Sequence, residues 1–194
     1  MLKQILAGYG LADTGIEIKS FGTGLINRTW IISSGEKKFI LQRVNDTIFK
    51  NPLAISDNIR KTGQYLSQHH PGYLFVMPET NSDGEDMVHV KDEGYFRLFP
   101  FVKNSHTVDV VSSPQEAFEA ARQFGRFTNL LTGFPTEQLR ITLPDFHNLP
   151  LRYQQFETAV ATGNRERIRE SETLIGFLKK QQGIVETSKK ISVN

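Results

Sequence analysis

Two glycines, Gly22 and Gly24, flank Thr23 in a turn between two strand-like runs of the sequence. Glycine lets the backbone approach a bound group closely and adopt turn angles that other residues rarely adopt. Exposed N–H groups in such a turn could each contribute about 0.5–1.5 kcal/mol to the binding of phosphate oxygens. A hairpin turn that needs glycine for its geometry alone is the alternative, and so short a pattern does not exclude it. Asn27, at the start of the next strand, could tie the turn to a neighbouring strand.

The strand-like run 38–43 contains the second candidate group. In kinase-type folds a strand, a glycine-containing turn and two further strands cover the nucleotide phosphates, and the third strand carries a cation. Here Gln42 and Arg43 are adjacent, so one faces the cleft and the other faces away. Periodicity alone does not decide which one faces the cleft, and an exposed arginine on a sheet is the alternative interpretation of Arg43.

A third candidate is the apolar connection Pro100, Phe101 and Val102, which follows a strand-like run and precedes a helical region. In a kinase layout this is the hinge, where backbone groups meet the adenine edge and apolar side chains enclose its ring. A simple apolar connector between two lobes is the alternative.

The elements that must position these groups can be predicted from periodicity and end signals. Strands are predicted at 16–19, 27–32, 38–43, 86–90 and 95–99. Helices are predicted over 52–67, from 114 onward, and over 151–161 and 165–182. Asn51 before Pro52 marks the start of the first helix. Ser113-Pro114-Gln115-Glu116 is a capping box that marks the start of the second.

These elements predict an α+β, protein-kinase-like fold: a five-stranded antiparallel lobe with one helix, followed by the first helices of a second lobe. We place the boundary after Val102, which gives a nucleotide-side lobe over 1–102 and a partial helical lobe over 103–194. Kinases usually pair the third-strand cation with a helix glutamate, yet the helix at 52–67 contains none. Asp57 and Asn58 are the candidates on its early turns.

Composition narrows the function classes. The 194 residues carry a net charge of +2, with 38% hydrophobic and 23% charged residues, which is ordinary for a globular protein. So small a charge argues against a nucleic-acid partner. The absence of cysteine excludes disulfides and thiolate metal sites. With no apolar leader and no membrane-length run, we expect a cytoplasmic protein without membrane partners.

Several stretches together resemble one family. They are Phe21–Asn27, Phe39–Asn45, Phe49–Pro52, Tyr95–Phe101, Gln123–Leu131 and Leu143–Asn148. These residues are similar to the aminoglycoside phosphotransferase and choline kinase-like family, in particular to its N-acetylhexosamine 1-kinase-like members. The resemblance covers nearly the whole chain.

The resemblance implies transfer of the γ-phosphoryl group of ATP to a sugar hydroxyl with Mg²⁺. It implies that Gly22, Thr23, Gly24 and Asn27 line the phosphate loop. It also implies that Gln42 or Arg43 takes the third-strand position and that Pro100, Phe101 and Val102 form the adenine hinge.

The family's His-x-Asp-x-x-x-x-Asn loop and its later metal-binding Asp do not occur in this sequence, so we assign no catalytic residue and no metal ligand. We expect the N-terminal part of a sugar phosphotransferase that is inactive by itself and could self-associate through an uncovered helical lobe. A non-catalytic nucleotide-binding or scaffolding module is the alternative.

Overall fold

The computed structural model describes residues 1–11, 15–22 and 24–191. Its strands are β1 (Glu17–Ser20), β2 (Arg28–Ser34), β3 (Lys37–Val44), β4 (Val88–Val90) and β5 (Gly94–Pro100). Its helices are α1 (Leu2–Gly8), α2 (Pro52–His69), α3 (Pro114–Leu130), α4 (Leu149–Thr162), α5 (Arg165–Glu170), α6 (Glu172–Lys180) and α7 (Gln182–Ile191). A 3-10 turn lies at Thr136–Gln138. No helix in these described ranges is both long enough and apolar enough to cross a membrane.

All five strands form one antiparallel sheet in the order β1-β2-β3-β5-β4. The predicted five-stranded antiparallel sheet is therefore confirmed, and so is the α+β class. The long connection from β3 to β5 contains α2 and β4, which lets β5 pair directly with β3 in the middle of the sheet.

One face of the sheet packs against α1, a helix that the sequence analysis did not predict. Ile5 and Leu6 of α1 are fully buried in one cluster with residues of β2, β3 and β5, namely Ile32, Leu41, Phe96 and Leu98. Burial of each such side chain contributes about 1.5–3 kcal/mol. α1 spans seven residues, so tertiary packing rather than helix propensity stabilises it.

α2 begins where it was predicted to begin, because the Asn51 Oδ1 accepts a hydrogen bond from the Ala54 N–H at 3.1 Å. Polar side chains of α2 then contact the loop before β4 and the loop after α3. Arg60 pairs with the buried carboxylate of Asp86 at 2.9 Å, ahead of β4. The Tyr65 hydroxyl donates to the Thr132 carbonyl at 2.9 Å.

Asp57 and Asn58, the α2 residues considered as partners of the third-strand cation, contact Lys61 and Arg140 instead. Asp57 pairs with Lys61 at 2.8 Å and with Arg140 at 3.2 Å, and the hydrogen bond from Lys61 lowers the pKa of the Asp57 carboxyl. The Asn58 side chain exchanges two hydrogen bonds with the Arg140 backbone, at 2.8 and 2.9 Å. These residues join α2 to the segment after α3.

α3 begins at the predicted capping box, with one change in its geometry. The Ser113 Oγ accepts from the Glu116 N–H at 3.2 Å, as expected. The Glu116 carboxylate accepts from the Ser112 N–H at 2.8 Å rather than from that of Ser113, and the hydrogen bonds from Ser112 lower the pKa of Glu116. The apolar stripe of α3 is exposed, with Phe118 and Phe124 exposed by 65% and 75%.

Residues Met1–Thr142 form one compact unit and Leu143–Asn194 a second.

In the second unit the prediction of a single helix over 165–182 is wrong, because α5 and α6 are separate helices. Ser171 ends α5 with φ −95° and ψ 6°, and Gln181 ends α6 with φ −89° and ψ 6°. These angles lie between the helical and extended regions and interrupt the helix. The predicted lobe boundary between residues 102 and 103 stays a prediction.

Tyr9 fastens the end of α1 to the sheet. Its hydroxyl donates to the Phe96 carbonyl at 3.2 Å and lies 3.4 Å from the Asp86 carbonyl. Burial raises the pKa of Tyr9 to about 12. The folded state therefore favours the neutral phenol, and the stabilisation is present below pH 10 and is lost as the pH rises from 10 towards 12.

We expect Tyr9→Phe to lower the free energy of unfolding by about 1 kcal/mol at pH 7, because the hydrogen bonds are lost. The difference from the wild type should shrink above pH 10, the usual pKa of tyrosine. Urea unfolding at several pH values measures both effects, with Tyr73→Phe as the control variant. A difference that stays constant to about pH 11, midway through this window, would contradict the assignment.

Candidate functional site

The second face of the sheet carries the candidate site. The register of β3 with β5 places Ile40 opposite Phe99 and Gln42 opposite Arg97. Directly paired residues of an antiparallel sheet project to the same face, so these four side chains share one surface. The alternate residues of the same strands, including Leu41 and Leu98, belong to the core beneath α1.

Gln42, rather than Arg43, lies on this second face. Its Nε2 is 3.5 Å from the Thr29 Oγ1 of β2. Arg43 projects to the opposite face, where its Nε donates to the Glu93 carbonyl in the turn before β5. Periodicity left open whether Gln42 or Arg43 lies on the face that carries Ile40 and Phe99. The residue on that face is Gln42, so β3 presents a neutral amide there.

Arg97 was missed by the sequence analysis. Its Nε and Nη2 donate to the Gln42 Oε1 at 3.0 and 2.7 Å, and its guanidinium carbon lies 5.0 Å from the centre of the Phe99 ring. Nη1 is buried without a hydrogen-bond partner among the described residues. Burial lowers the pKa of Arg97, yet a guanidinium stays charged at neutral pH. Arg97 lies 55 positions from Gln42, so only the strand pairing could have identified it.

The glycine turn lies beside the same face. Gly22 has φ +80°, a conformation that favours glycine, and a Cβ added there would meet no atom within 4 Å. Gly22, Gly24 and Asn27 line an open cavity of about 430 Å³, together with Thr29. Thr23, the remaining predicted member of the turn, lies outside the described residues.

Asn27 ties the turn to the end of β3, as the sequence indicated. Its Oδ1 accepts from the Asn45 N–H at 2.9 Å, and the Asn45 Nδ2 donates back to the Ile26 carbonyl at 3.1 Å. The Asn45 Oδ1 also accepts from the Thr47 N–H at 3.0 Å. The two asparagines therefore fix the distance between the turn and the strand that carries Gln42.

The predicted hinge residues line a second cavity of about 620 Å³. Pro100, Phe101 and Val102 contribute to it, and so do Ile40 of β3 and Phe21 at the start of the glycine turn. The cavity thus contains residues from all three predicted segments. Its volume and its largely apolar lining are those of a small-molecule site.

Backbone hydrogen bonds fix the hinge. The Phe101 N–H donates to the Lys38 carbonyl at 3.1 Å, and the Ser105 N–H and Oγ donate to the Val102 carbonyl at 3.3 and 2.6 Å. Within the described ranges no protein group accepts from the Val102 N–H. This donor is therefore available to a bound molecule.

A larger cavity, of about 890 Å³, lies on the α1 side of the sheet, where Tyr9, Lys37 and Leu98 line it. The hinge residues Pro100 and Phe101 line this cavity as well. Neither Ile40 nor a residue of the glycine turn is among its lining residues, so size alone does not identify the site. Among the described residues, no group of three or more His, Cys, Asp or Glu side chains could hold a metal ion.

No protein-family model matches the chain. Its fold is similar to that of spectinomycin phosphotransferase APH(9)-Ia in complex with ADP and spectinomycin, with a TM-score of 0.59 and 12% identity. The similarity covers 98% of this chain and 56% of that one. A Ralstonia eutropha protein assigned as an aminoglycoside phosphotransferase matches with a TM-score of 0.48 and 13% identity, over 92% of this chain and 52% of its own.

The first of these similarities shows the fold. The five-stranded sheet and its helices form an aminoglycoside phosphotransferase-like, kinase-like architecture. The chain spans about half the length of the solved structures it matches, 56% and 52%.

The hydrogen bond from the Asn45 N–H to the Asn27 side chain can be tested by substitution. We expect Asn27→Ala to lower the free energy of unfolding by about 1 kcal/mol, because the Asn45 N–H loses its acceptor. Hydrogen exchange of the Asn45 amide should accelerate in the same variant. Asn51→Ala is the matched control, since it also removes one amide acceptor of a backbone N–H but does so at α2. Equal protection of the Asn45 amide in both variants would refute this hydrogen bond.

Proposed function

We propose that this chain is the nucleotide-binding part of an ATP-dependent phosphotransferase that acts on a small acceptor with a sugar hydroxyl. One observation carries the proposal. The apolar cavity joins Phe21 of the glycine turn, Ile40 of β3 and the segment 99–102, on the face that carries Gln42 and Arg97. A kinase-like architecture uses this face of its sheet to cover a nucleotide.

The apolar cavity suits an adenine ring. Ile40 and Phe99 would contact one flat face of the ring, and burial of apolar surface would stabilise the complex. The Val102 N–H, which has no protein acceptor among the described residues, would donate to a ring nitrogen. Such a site combines apolar walls with one directional polar group, as small-molecule sites generally do.

The glycine turn suits the phosphates. Gly22 has a backbone conformation in which a turn can direct N–H groups towards an anion. Gly24 leaves space as well, since an added Cβ there would lie 3.7 Å from the Asn27 carbonyl oxygen. By the resemblance, Thr23 belongs to the same phosphate loop.

The acceptor and the metal are taken from the resemblance and from the neighbour. Spectinomycin phosphotransferase holds ADP together with spectinomycin, and the family resemblance favours an N-acetylhexosamine-like acceptor here. Mg²⁺ is implied by the resemblance alone, and we assign no ligand for it among the described residues, which contain no group of three or more His, Cys, Asp or Glu side chains that could hold a metal ion. We therefore derive no catalytic step for this chain and propose binding of the nucleotide as its role, in the cytoplasm.

The hinge cavity can be tested with two valines of one connecting segment. Val102 lines the cavity and is 37% exposed, whereas Val110 is 79% exposed and is not among the lining residues. Val102→Glu should weaken ADP and adenosine binding by about tenfold or more, because a charge enters an apolar wall. Val110→Glu makes the same change of net charge and should leave both affinities unchanged. Isothermal titration calorimetry measures them.

The same titrations decide the proposal. A folded wild-type chain that binds neither ADP nor adenosine would exclude the nucleotide-binding role. Binding of ADP with acceptor-dependent ADP release from ATP by this chain alone would contradict the expectation that it is inactive by itself. Binding without release, if the intact gene product has the mass of this chain, 22.0 kDa, would favour the non-catalytic module.

The glycine turn can be tested with a matched pair. Gly22 and Gly84 both have φ +80°, and neither has an atom within 4 Å of an added Cβ. Each Gly→Ala substitution should lower stability by about 1–2 kcal/mol through the same backbone strain. Only Gly22→Ala should also weaken ADP binding, because it disturbs the turn at the phosphates. Equal ADP affinities of the two variants would show that the turn has a structural role alone.

A further inference from the structure

Arg97 is a half-buried cation that is held by a neutral partner. Two of its nitrogens donate to one oxygen of Gln42, and the third, Nη1, is buried without a partner among the described residues. None of the ion pairs found in the described ranges includes Arg97. Its positive charge is therefore uncompensated on the face that carries the candidate site.

Burial of a charge without a counter-ion is costly. An anion that reached the guanidinium would offset this cost. The Gln42 amide satisfies two N–H groups without neutralising the charge. It therefore orients the guanidinium and leaves both its charge and the Nη1 donors for another group.

Arg97 is not among the lining residues of either cavity of the site, but residues in contact with it, or with its partner Gln42, line both. Its guanidinium lies over the ring of Phe99, which lines the apolar cavity. Its partner Gln42 contacts Thr29, which lines the cavity at the glycine turn. An anion attached to a flat apolar group in the first cavity would therefore meet this cation near the glycine turn.

Two other arginines lie nearby, and both project to the opposite face of the sheet. Arg28 also lines the cavity at the glycine turn, but the register pairs it with Arg43. Arg43 is on β3, the strand from which kinase folds take their phosphate-binding cation. However, it projects to the opposite face and donates to the Glu93 carbonyl. At the position of β3 directly opposite Arg97 the residue is Gln42, which has no charge.

We propose that Arg97 of β5 is the cation that binds the nucleotide phosphates, held in place by Gln42, so that the charge comes from β5 rather than from β3. This inference rests on the proposed nucleotide-binding function. The guanidinium would donate two parallel hydrogen bonds to phosphate oxygens, a geometry for which arginine is well suited.

The test compares ADP with adenosine, which has no phosphate. By calorimetry, Arg97→Met should weaken ADP binding by about tenfold or more, the loss expected for a charge-assisted hydrogen bond. Its adenosine affinity should stay within about twofold of the wild type, a difference of less than 0.5 kcal/mol. Arg43→Met is the matched control, because it removes the same charge from the adjacent strand on the opposite face, and it should leave both affinities unchanged.

A structural role for Arg97 alone would lower stability without changing the ratio of the two affinities, and that result would overturn the proposal. Wild-type protein that binds neither ligand would instead exclude the nucleotide function itself, and this proposal with it. If Arg97→Met does not fold, NMR of the wild type decides. The Arg97 Nε–H resonance, assigned with Arg97→Lys, should shift on addition of ADP but not of adenosine, and a resonance unchanged at saturating ADP would refute the assignment.

Discussion

The pairing of β3 with β5 is the constraint on which the rest of the structure depends. It places Leu41 and Leu98 under α1 and, one residue away, Gln42 against Arg97. Because side chains alternate between faces, a slip of one residue would exchange the two sets completely. The buried leucines make such a slip expensive, since each loses about 1.5–3 kcal/mol on exposure. The core under α1 therefore also fixes the geometry of the polar face.

Much of the fold could be predicted because its signals are local. The strand-like runs of β2 and β3, the Asn51 cap and the capping box at Ser113 each involve a few neighbouring residues. The features that were missed depend on distant partners. α1 is too short to be stable by itself and exists because Ile5 and Leu6 fill the core.

The candidate site divides in the same way. The glycine turn, the asparagine that anchors it and the apolar hinge could be predicted from short motifs and lie around neighbouring cavities. Arg97 carries no local signal, because an arginine within a strand is usually a solvated residue. Its environment is created by Gln42, and that pairing exists only once β5 lies beside β3. A candidate residue of this kind, whose environment depends on strand pairing, can therefore be identified only from a structure.

The residue types at positions 42 and 97 depend on each other, because the two side chains are directly opposite and hydrogen-bonded. Residues directly opposite each other in an antiparallel sheet have Cβ atoms about 4.5–5.5 Å apart, and like charges at such a distance destabilise the sheet. A lysine at position 42 would therefore repel the guanidinium of Arg97 in a poorly hydrated environment. A neutral amide removes that repulsion and supplies an acceptor for two N–H groups. The neutral Gln42 on β3 is therefore compatible with the positive charge of Arg97 at the position directly opposite it on β5.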